Sequence, residues 1–300
     1  MRRTKSWLPG FLLVLPSIVL VGVFVYWLIF KNVFTSLQRS TNFVTDKVVN
    51  PGGYQNYTKL LGSDDYQHAL LNLLVLTVVF MVGTMVMGLV WAVLLEKGVG
   101  AEGFFRSVYL FPMAVSMIAA GVVWRWLLSP AQGEGQAIGL NQLFIKLHLD
   151  GLQSSWWSGS SKFSMAAMAI PAIWQLSGYV MALFLAGFRG ISDDQREAAR
   201  IDGASEWKIY RHVLFPQLSP IALSALIILG HMSMKMFDLI YVIAGPNSYK
   251  AAVPTTMMWT QLFAQSDPQA AAVNATILLV IVAIVVVPYL VSQSRSEGSR

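Results

Sequence analysis

A helix that crosses a lipid bilayer needs about 20 consecutive, mostly apolar residues. Six segments of this chain meet that length: about 11–30, 69–95, 107–126, 163–188, 213–236 and 270–291. None contains Asp or Glu, and the only Lys or Arg within them are Arg125 and Lys235, near the ends of the third and fifth. The first segment follows Arg2, Arg3 and Lys5, as a secretory signal core does, but its apolar run is too long for one. Its bulky end at Tyr26, Trp27 and Phe30 is a poor cleavage site, so it reads as a retained helix. The pattern predicts an all-α integral membrane protein, one transmembrane domain over residues 1–300 built from six transmembrane helices.

Basic residues give the orientation. With a cytoplasmic N-terminus, the inside segments hold Arg2, Arg3, Lys5, Lys97, Arg106, Arg189, Arg196, Arg200, Lys208, Arg211, Arg295 and Arg300. Their density exceeds that of the outer segments at about 31–68, 127–162 and 237–269, in keeping with the positive-inside rule. Both termini are then cytoplasmic. The outer segments carry turn signals at Asn50-Pro51-Gly52-Gly53, Ser129-Pro130 and Gly245-Pro246-Asn247. They also carry Tyr54, Tyr57, Trp156, Trp157 and Trp259, residues that suit the membrane interface. Gly83, Gly88, Gly121, Gly178 and Gly187 would allow helices to approach closely.

The longest charged stretch lies inside, at 192–216. Ser192 followed by Gln195 fits a capping box, and Asp193 and Asp194 fall in the first turn, where the helix dipole favours acids. Asp193/Arg196 and Glu197/Arg200 have the spacing of helical ion pairs. Asp202-Gly203 reads as a helix stop, because glycine tolerates the left-handed conformation. Ser205 can cap a second helix bearing Lys208, Arg211 and His212 before Pro216. A helix, a glycine corner and a second helix at a membrane surface make a shape suited to docking into another protein.

The order Glu197-Ala198-Ala199, Asp202-Gly203-Ala204, Phe215-Pro216 closely resembles the EAA loop of ATP-binding-cassette importer permeases. Tyr54-Gln55-Asn56-Tyr57, Phe105-Arg106, Leu110-Phe111-Pro112 and Lys235-Met236-Phe237-Asp238 resemble segments of the sugar (maltose and glycerol-phosphate type) permeases of that class. The glycine run usual before Pro246 is shortened here to Ala244-Gly245, which bears on the conformation of that loop. The resemblance covers about residues 10–295. It implies a type I importer permease fold, in which helices two to six form the core and the first wraps a partner. It implies that Glu197, Ala198, Ala199, Asp202, Gly203 and Ala204 form a coupling element that inserts into a cytoplasmic ATPase. The partners it implies are a second homologous permease, two such ATPases and an extracytoplasmic solute-binding protein, in a bacterial or archaeal cytoplasmic membrane. ATP with Mg²⁺ would sit in the partner ATPase, with no cofactor in this chain.

The residues themselves offer no catalytic constellation. There is no GxxxxGK[ST] phosphate loop, and His68, His148, His212 and His231 are scattered without metal spacing. Cysteine is absent, which excludes disulfides and thiolate metal sites. The chain is 55% hydrophobic and 12% charged, about half the charge of an ordinary soluble domain. Its net charge of +6 lacks the aromatic-basic pattern of nucleic-acid binding. Polar groups inside the spans point instead to a path, because each is costly unless it faces protein or water. Trp174, Gln175, Ser177 and Tyr179 in the fourth span, His231 and Ser233 in the fifth, Asn274 in the sixth and Asn72 in the second are these groups. An aromatic face beside amides and hydroxyls suits a sugar, stacking on its CH face and bonding its hydroxyls. Trp174, Gln175, Ser177, Tyr179, Ser233 and Asn274 are the candidate substrate path; interhelical hydrogen bonding is the plainer reading of each. Arg125, between Trp124 and Trp126, and Lys235 with Asp238 one turn on suit snorkelling and a local ion pair, or contact with a binding protein.

The reading is a non-enzymatic permease subunit of an ATP-driven carbohydrate importer. Alternatives are an importer for another solute (polyol, glycerol phosphate or oligopeptide), a stand-alone secondary transporter, or a membrane scaffold. A secondary transporter would be expected to carry intramembrane acids, which these spans lack.

Overall fold

The computed structural model of the protein describes residues 7–41, 47–98, 100–130, 137–158, 164–246 and 248–297. Arg2, Arg3, Lys5, Phe163, Asn247 and Arg300 lie outside them. In chain order the elements are α1 (Gly10–Ser36), β1 (Ser40–Thr41), β2 (Val48–Asn50), α2 (Gln55–Leu61), α3 (Asp64–Glu96), α4 (Glu102–Ala114), α5 (Met117–Leu127), α6 (Gly139–Lys146), α7 (Ser164–Arg189), α8 (Asp193–Ile201), α9 (Glu206–Gln217), α10 (Ser219–Met234), α11 (Asp238–Ala244), α12 (Pro254–Trp259) and α13 (Pro268–Glu297). Among the described residues four helices are long and apolar enough to cross a membrane, or six when each of two bent pairs counts as one crossing. The segments predicted as loops are partly helical: α1 runs on to Ser36, and α2, α6, α11 and α12 fall within them.

Close contacts divide the chain into two units, Met1–Gln67 with Met257–Ile281 and His68–Thr256 with Val282–Arg300. In the first, the apolar stretch of α1 has no buried residue, as suits a helix surrounded by lipid or another subunit, and only Ser36 at its end is buried. Asn32 fixes it by donating to the Ala272 carbonyl (3.1 Å) and to Thr276 Oγ1 (3.0 Å). The polar loops of this unit are held by buried amides. Asn56 donates to the Ser36 and Gln38 carbonyls, and Asn50 donates to Ser40 Oγ and Asp267 Oδ1, both at 2.8 Å. A buried amide left without partners costs about 1–3 kcal/mol, so these satisfied ones specify the loop path.

The second unit is organised around α7, the most buried of the long helices. Met168, Ala172, Leu176, Val180, Phe184 and Phe188 of α7 belong to one continuous apolar core with Leu76 and Phe80 of α3, Leu229 of α10 and Leu239 and Ile243 of α11. All five glycines singled out for close approach meet a neighbouring helix: Gly83 faces Ile173, Gly88 Val180, Gly121 Val242, Gly178 Tyr109 and Gly187 Ile221. The tightest is Gly178, where a Cβ would stand 2.0 Å from the Tyr109 carbonyl oxygen of α4.

Two predicted spans are corrected. Segment 107–126 is not one helix: α4 and α5 meet at 95°. Pro112, which has no N–H to donate, lies in the last turn of α4, and the helix runs through it to Ala114. Val115 is extended, and Ser116 starts α5 by accepting from the Ala119 N–H at 3.1 Å. Segment 213–236 is likewise bent by 63° between α9 and α10, where Pro216 and Pro220 flank Leu218. The expected Lys235–Asp238 helical pair also falls on a break. α10 ends at Met234 and α11 starts at Asp238, so the two side chains, both exposed, do not share a helical turn.

Gly178→Ala should therefore force α4 and α7 apart at a cost of about 1–3 kcal/mol, the range for overpacking. Gly22→Ala, where an added Cβ meets nothing within 4 Å, is the matched control. Thermal unfolding midpoints in detergent should fall for the first variant and hold or rise for the second.

Candidate coupling loop and polar path

The 192–216 loop folds as a helix, a corner and a second helix. α8 ends in a Schellman motif: the Ala204 N–H reaches back to the Ala199 carbonyl and the Gly203 N–H to the Arg200 carbonyl, both at 3.0 Å. Gly203 sits at φ +76°, the left-handed conformation expected of it. The helix start differs from expectation. Ser192 is extended at the N-cap, but its side chain makes no capping bond, and Gln195 Oε1 instead accepts from Gln217 Nε2 of α9 at 2.6 Å. Ser205 makes no side-chain cap either.

The expected ion pairs inside α8 are also replaced. Arg196 turns away from Asp193 to pair with Glu96, the last residue of α3, and Arg200 pairs with Glu206 of α9 at 3.0 Å. The Arg196–Glu96 pair is largely buried, with side chains 16% and 10% exposed, whereas Arg200–Glu206 lies in solvent. Tyr210 donates its hydroxyl to the other oxygen of Glu96, and Arg196 Nη2 donates to the Phe188 carbonyl at 3.4 Å. The Tyr210 ring lies edge-on to Phe188, with 6.0 Å between centroids. Glu197, Ala198, Asp202 and Gly203 remain exposed, while Ala199 and Ala204 pack on the core beneath them. Ile201 and Trp207, 86% and 65% exposed, add apolar surface beside the corner. The loop is thus fixed on the side that meets α3 and α7 and open on the other.

The second locus lies along α7. Gln175 is buried and donates to the Val115 carbonyl at 2.5 Å, meeting the backbone oxygen that the α4–α5 break leaves free. Its own Oε1 is buried without a partner among the described residues. Trp174 is 39% exposed and lies edge-on to Trp124 of α5 at 6.0 Å. Ser177 is buried and bonds within its helix to the Trp174 carbonyl at 3.4 Å, and Tyr179 is half-buried against the core. Ser233 bonds Thr77 Oγ1 (3.0 Å) and the Gly230 carbonyl (2.8 Å). Asn274, in the other unit, accepts from the Tyr66 hydroxyl and donates to Gln261 Oε1, both at 3.2 Å. Asn72 donates to the Lys250 and Ala252 carbonyls, pinning the strand of chain before α12. Arg125 donates to the Val242 carbonyl at 3.2 Å, tying α5 to α11. Sequence reasoning passed over Glu96 and Tyr210 and named Trp124 only as a flank of Arg125. Glu96 did carry a signal, since an acid at a helix C-terminus opposes the dipole and needs a compensating cation.

The apolar helices, joined by a helical corner, are those of a multi-pass membrane protein. The chain belongs to the family described as binding-protein-dependent transport system inner membrane component, whose profile matches residues 85–295. A "Probable ABC transporter permease protein" of Pyrococcus horikoshii is 36% identical over 99% of both chains. The xylose/arabinose import permease protein XacH of Haloferax volcanii is 34% identical over 81% of this chain and 74% of its own. A solved bacterial ABC transporter involved in the import of the acidic polysaccharide alginate superposes with a TM-score of 0.78 at 19% identity, covering 97% of this chain and 96% of that one. The fold is accordingly that of a type I importer permease, and the chain is a transport subunit rather than an enzyme.

Proline cannot adopt φ +76° and has no N–H to give Arg200. Gly203→Pro should unravel the end of α8, whereas Gly203→Asn, which tolerates the left-handed region, should retain it. Limited proteolysis of membranes should cut the first variant between 198 and 208 and leave the second as resistant as wild type.

Proposed function

We propose that the chain is one permease subunit of an ATP-driven importer for carbohydrate, working with a second homologous permease, two cytoplasmic ATPases that bind ATP and Mg²⁺, and an extracytoplasmic solute-binding protein. It sits in a bacterial or archaeal cytoplasmic membrane with both termini inside. The observation that carries this reading is the α8–Gly203–α9 corner, which leaves Glu197, Ala198, Asp202 and Gly203 open while its underside is bonded to α3 and α7. An ATPase that grips Glu197, Ala198, Ala199, Asp202, Gly203 and Ala204 can pass its closure to the transmembrane helices. Nucleotide drives the change only through its different affinity for the two states.

For the substrate we propose Trp174, Gln175, Ser177 and Tyr179, with Ser233 of the same unit, as the path; Asn274, in the other unit, is proposed for it from the sequence alone. Trp174 with Trp124 offers an aromatic face, and the free Gln175 Oε1 is an acceptor for a hydroxyl. The spans carry no acids and few bases, which favours a neutral solute over a charged one. The sugar named for the Haloferax relative supports the same class.

The test is a tagged chain purified from cells that co-express the neighbouring subunits. Wild type should retain an ATPase and a second permease, and Asp202→Lys/Gly203→Pro should lose the ATPase alone. In vesicles, ATP hydrolysis should rise with a sugar-loaded binding protein. A chain recovered alone, in a detergent that keeps control importers assembled, would sink the reading; uptake that persists without ATPase would do the same.

A further inference from the structure

Glu96 is placed against its own helix. α3 runs from Asp64 to Glu96 with no basic residue in its last turn, so this acid meets the negative end of the dipole. It is also withdrawn from water, with 10% of its side chain exposed. Helix stability alone would not select such a residue. Both of its oxygens are nonetheless engaged, one by Arg196 of α8 and one by the Tyr210 hydroxyl of α9. The Lys97 ammonium lies over the Tyr210 ring, 5.6 Å from its centre. Tyr210 itself opens a π-helical turn, Tyr210–Leu214, and is buried. The wider helical turn departs from the α repeat at the residue that reaches Glu96.

The other contacts of the loop differ in kind. Arg200–Glu206 and Arg189–Glu102 are solvent-exposed pairs, and such pairs hold geometry weakly. A buried, doubly bonded carboxylate does not: parting it from either partner leaves a charge in a poor solvent. Of the charged contacts described, this one alone joins α8 to a long transmembrane helix and is shielded from water on both sides.

The geometry points to a joint: Glu96, Arg196 and Tyr210 lock α8 and α9 to the end of α3, so that displacement of the loop turns α3 as one body with it. The three are positioning residues and none touches the transported solute. The use of the joint in transport rests on the proposed contact between the loop and an ATPase; the joint itself does not.

The experiment uses two readouts on the assembled transporter. The chain lacks cysteine, so cysteines introduced at the exposed Leu94 and Asp194 carry the only spin labels in this subunit. Wild type should give a narrow distance distribution between α3 and α8. Glu96→Leu/Arg196→Met, which removes both charges and keeps apolar bulk, should broaden it; an unchanged width overturns the joint. In proteoliposomes the same variant should keep ATP hydrolysis stimulated by the binding protein while solute moved per ATP falls at least about tenfold, since the bonds of Arg196 and Tyr210 to Glu96 and of Arg196 to the Phe188 carbonyl are all lost. An unchanged ratio overturns the role of the joint in transport. Tyr210→Phe, which removes one hydroxyl and no charge, decides both points if the double variant does not assemble: its distances should broaden and its transport per ATP should fall, and wild-type values in both overturn the proposal. Wild-type uptake that is independent of ATP would instead refute the importer reading, and the spin-label widths would still decide the joint.

Discussion

Backbone hydrogen bonding governs this molecule more than any single contact. Within a bilayer an unpaired carbonyl or amide finds no water, so a helix can be interrupted only where protein atoms take up the freed groups. The break at Val115 shows how this is met. The Ser116 side chain accepts from Ala119 at the start of α5, and Gln175, sixty residues on, donates to the Val115 carbonyl. The 95° turn between α4 and α5 is thus held by α7, the same helix that Gly178 brings to near contact with α4. α7 is both the core of its unit and the support for its most irregular backbone.

The existence of the membrane helices was legible from apolar length alone, and the start and end of α8 near Ser192 and Gly203 were legible from local chemistry. The breaks were not. Pro16, Pro171 and Pro288 lie inside helices that continue through them, so Pro112 by itself does not announce a bend. What separates Pro112 is the capping serine four positions later and a glutamine on a distant helix, and only the first of these is local. Partner choice failed for the same reason. Arg196 had Asp193 at helical spacing, yet pairs with Glu96 a hundred residues earlier, because a buried carboxylate gains more from a cation than an exposed one does. Gln195, which fitted a capping box, is held by Gln217 instead.

The polar residues within the spans divide on similar grounds. Asn72, Ser233 and Asn274 are hydrogen-bonded to neighbouring segments, which is how buried polar groups hold helices in register. Gln175 commits its amide N–H to the break and leaves its oxygen free, and Trp174 leaves much of its ring open. A residue can serve structure and solute at once only if it has capacity left over. By that measure the Trp174–Gln175 pair is better placed for the proposed path than Ser233 or Asn274.

Alternating access adds a mechanical demand to these chemical ones. For the ATPase contact proposed at α8 to move the transmembrane helices, the loop must not yield before they do. An exposed ion pair is worth about 0–1 kcal/mol, comparable to thermal energy, and would give way under load. Removing one partner from a buried pair costs about 3–5 kcal/mol. The Schellman turn at Gly203 fixes the angle between α8 and α9, and the Glu96 carboxylate fixes both to α3. The corner therefore has few soft degrees of freedom left between its open face and the membrane. A coupling element needs this distribution of stiffness: open where a partner binds, and closed by buried polar contacts where force must pass.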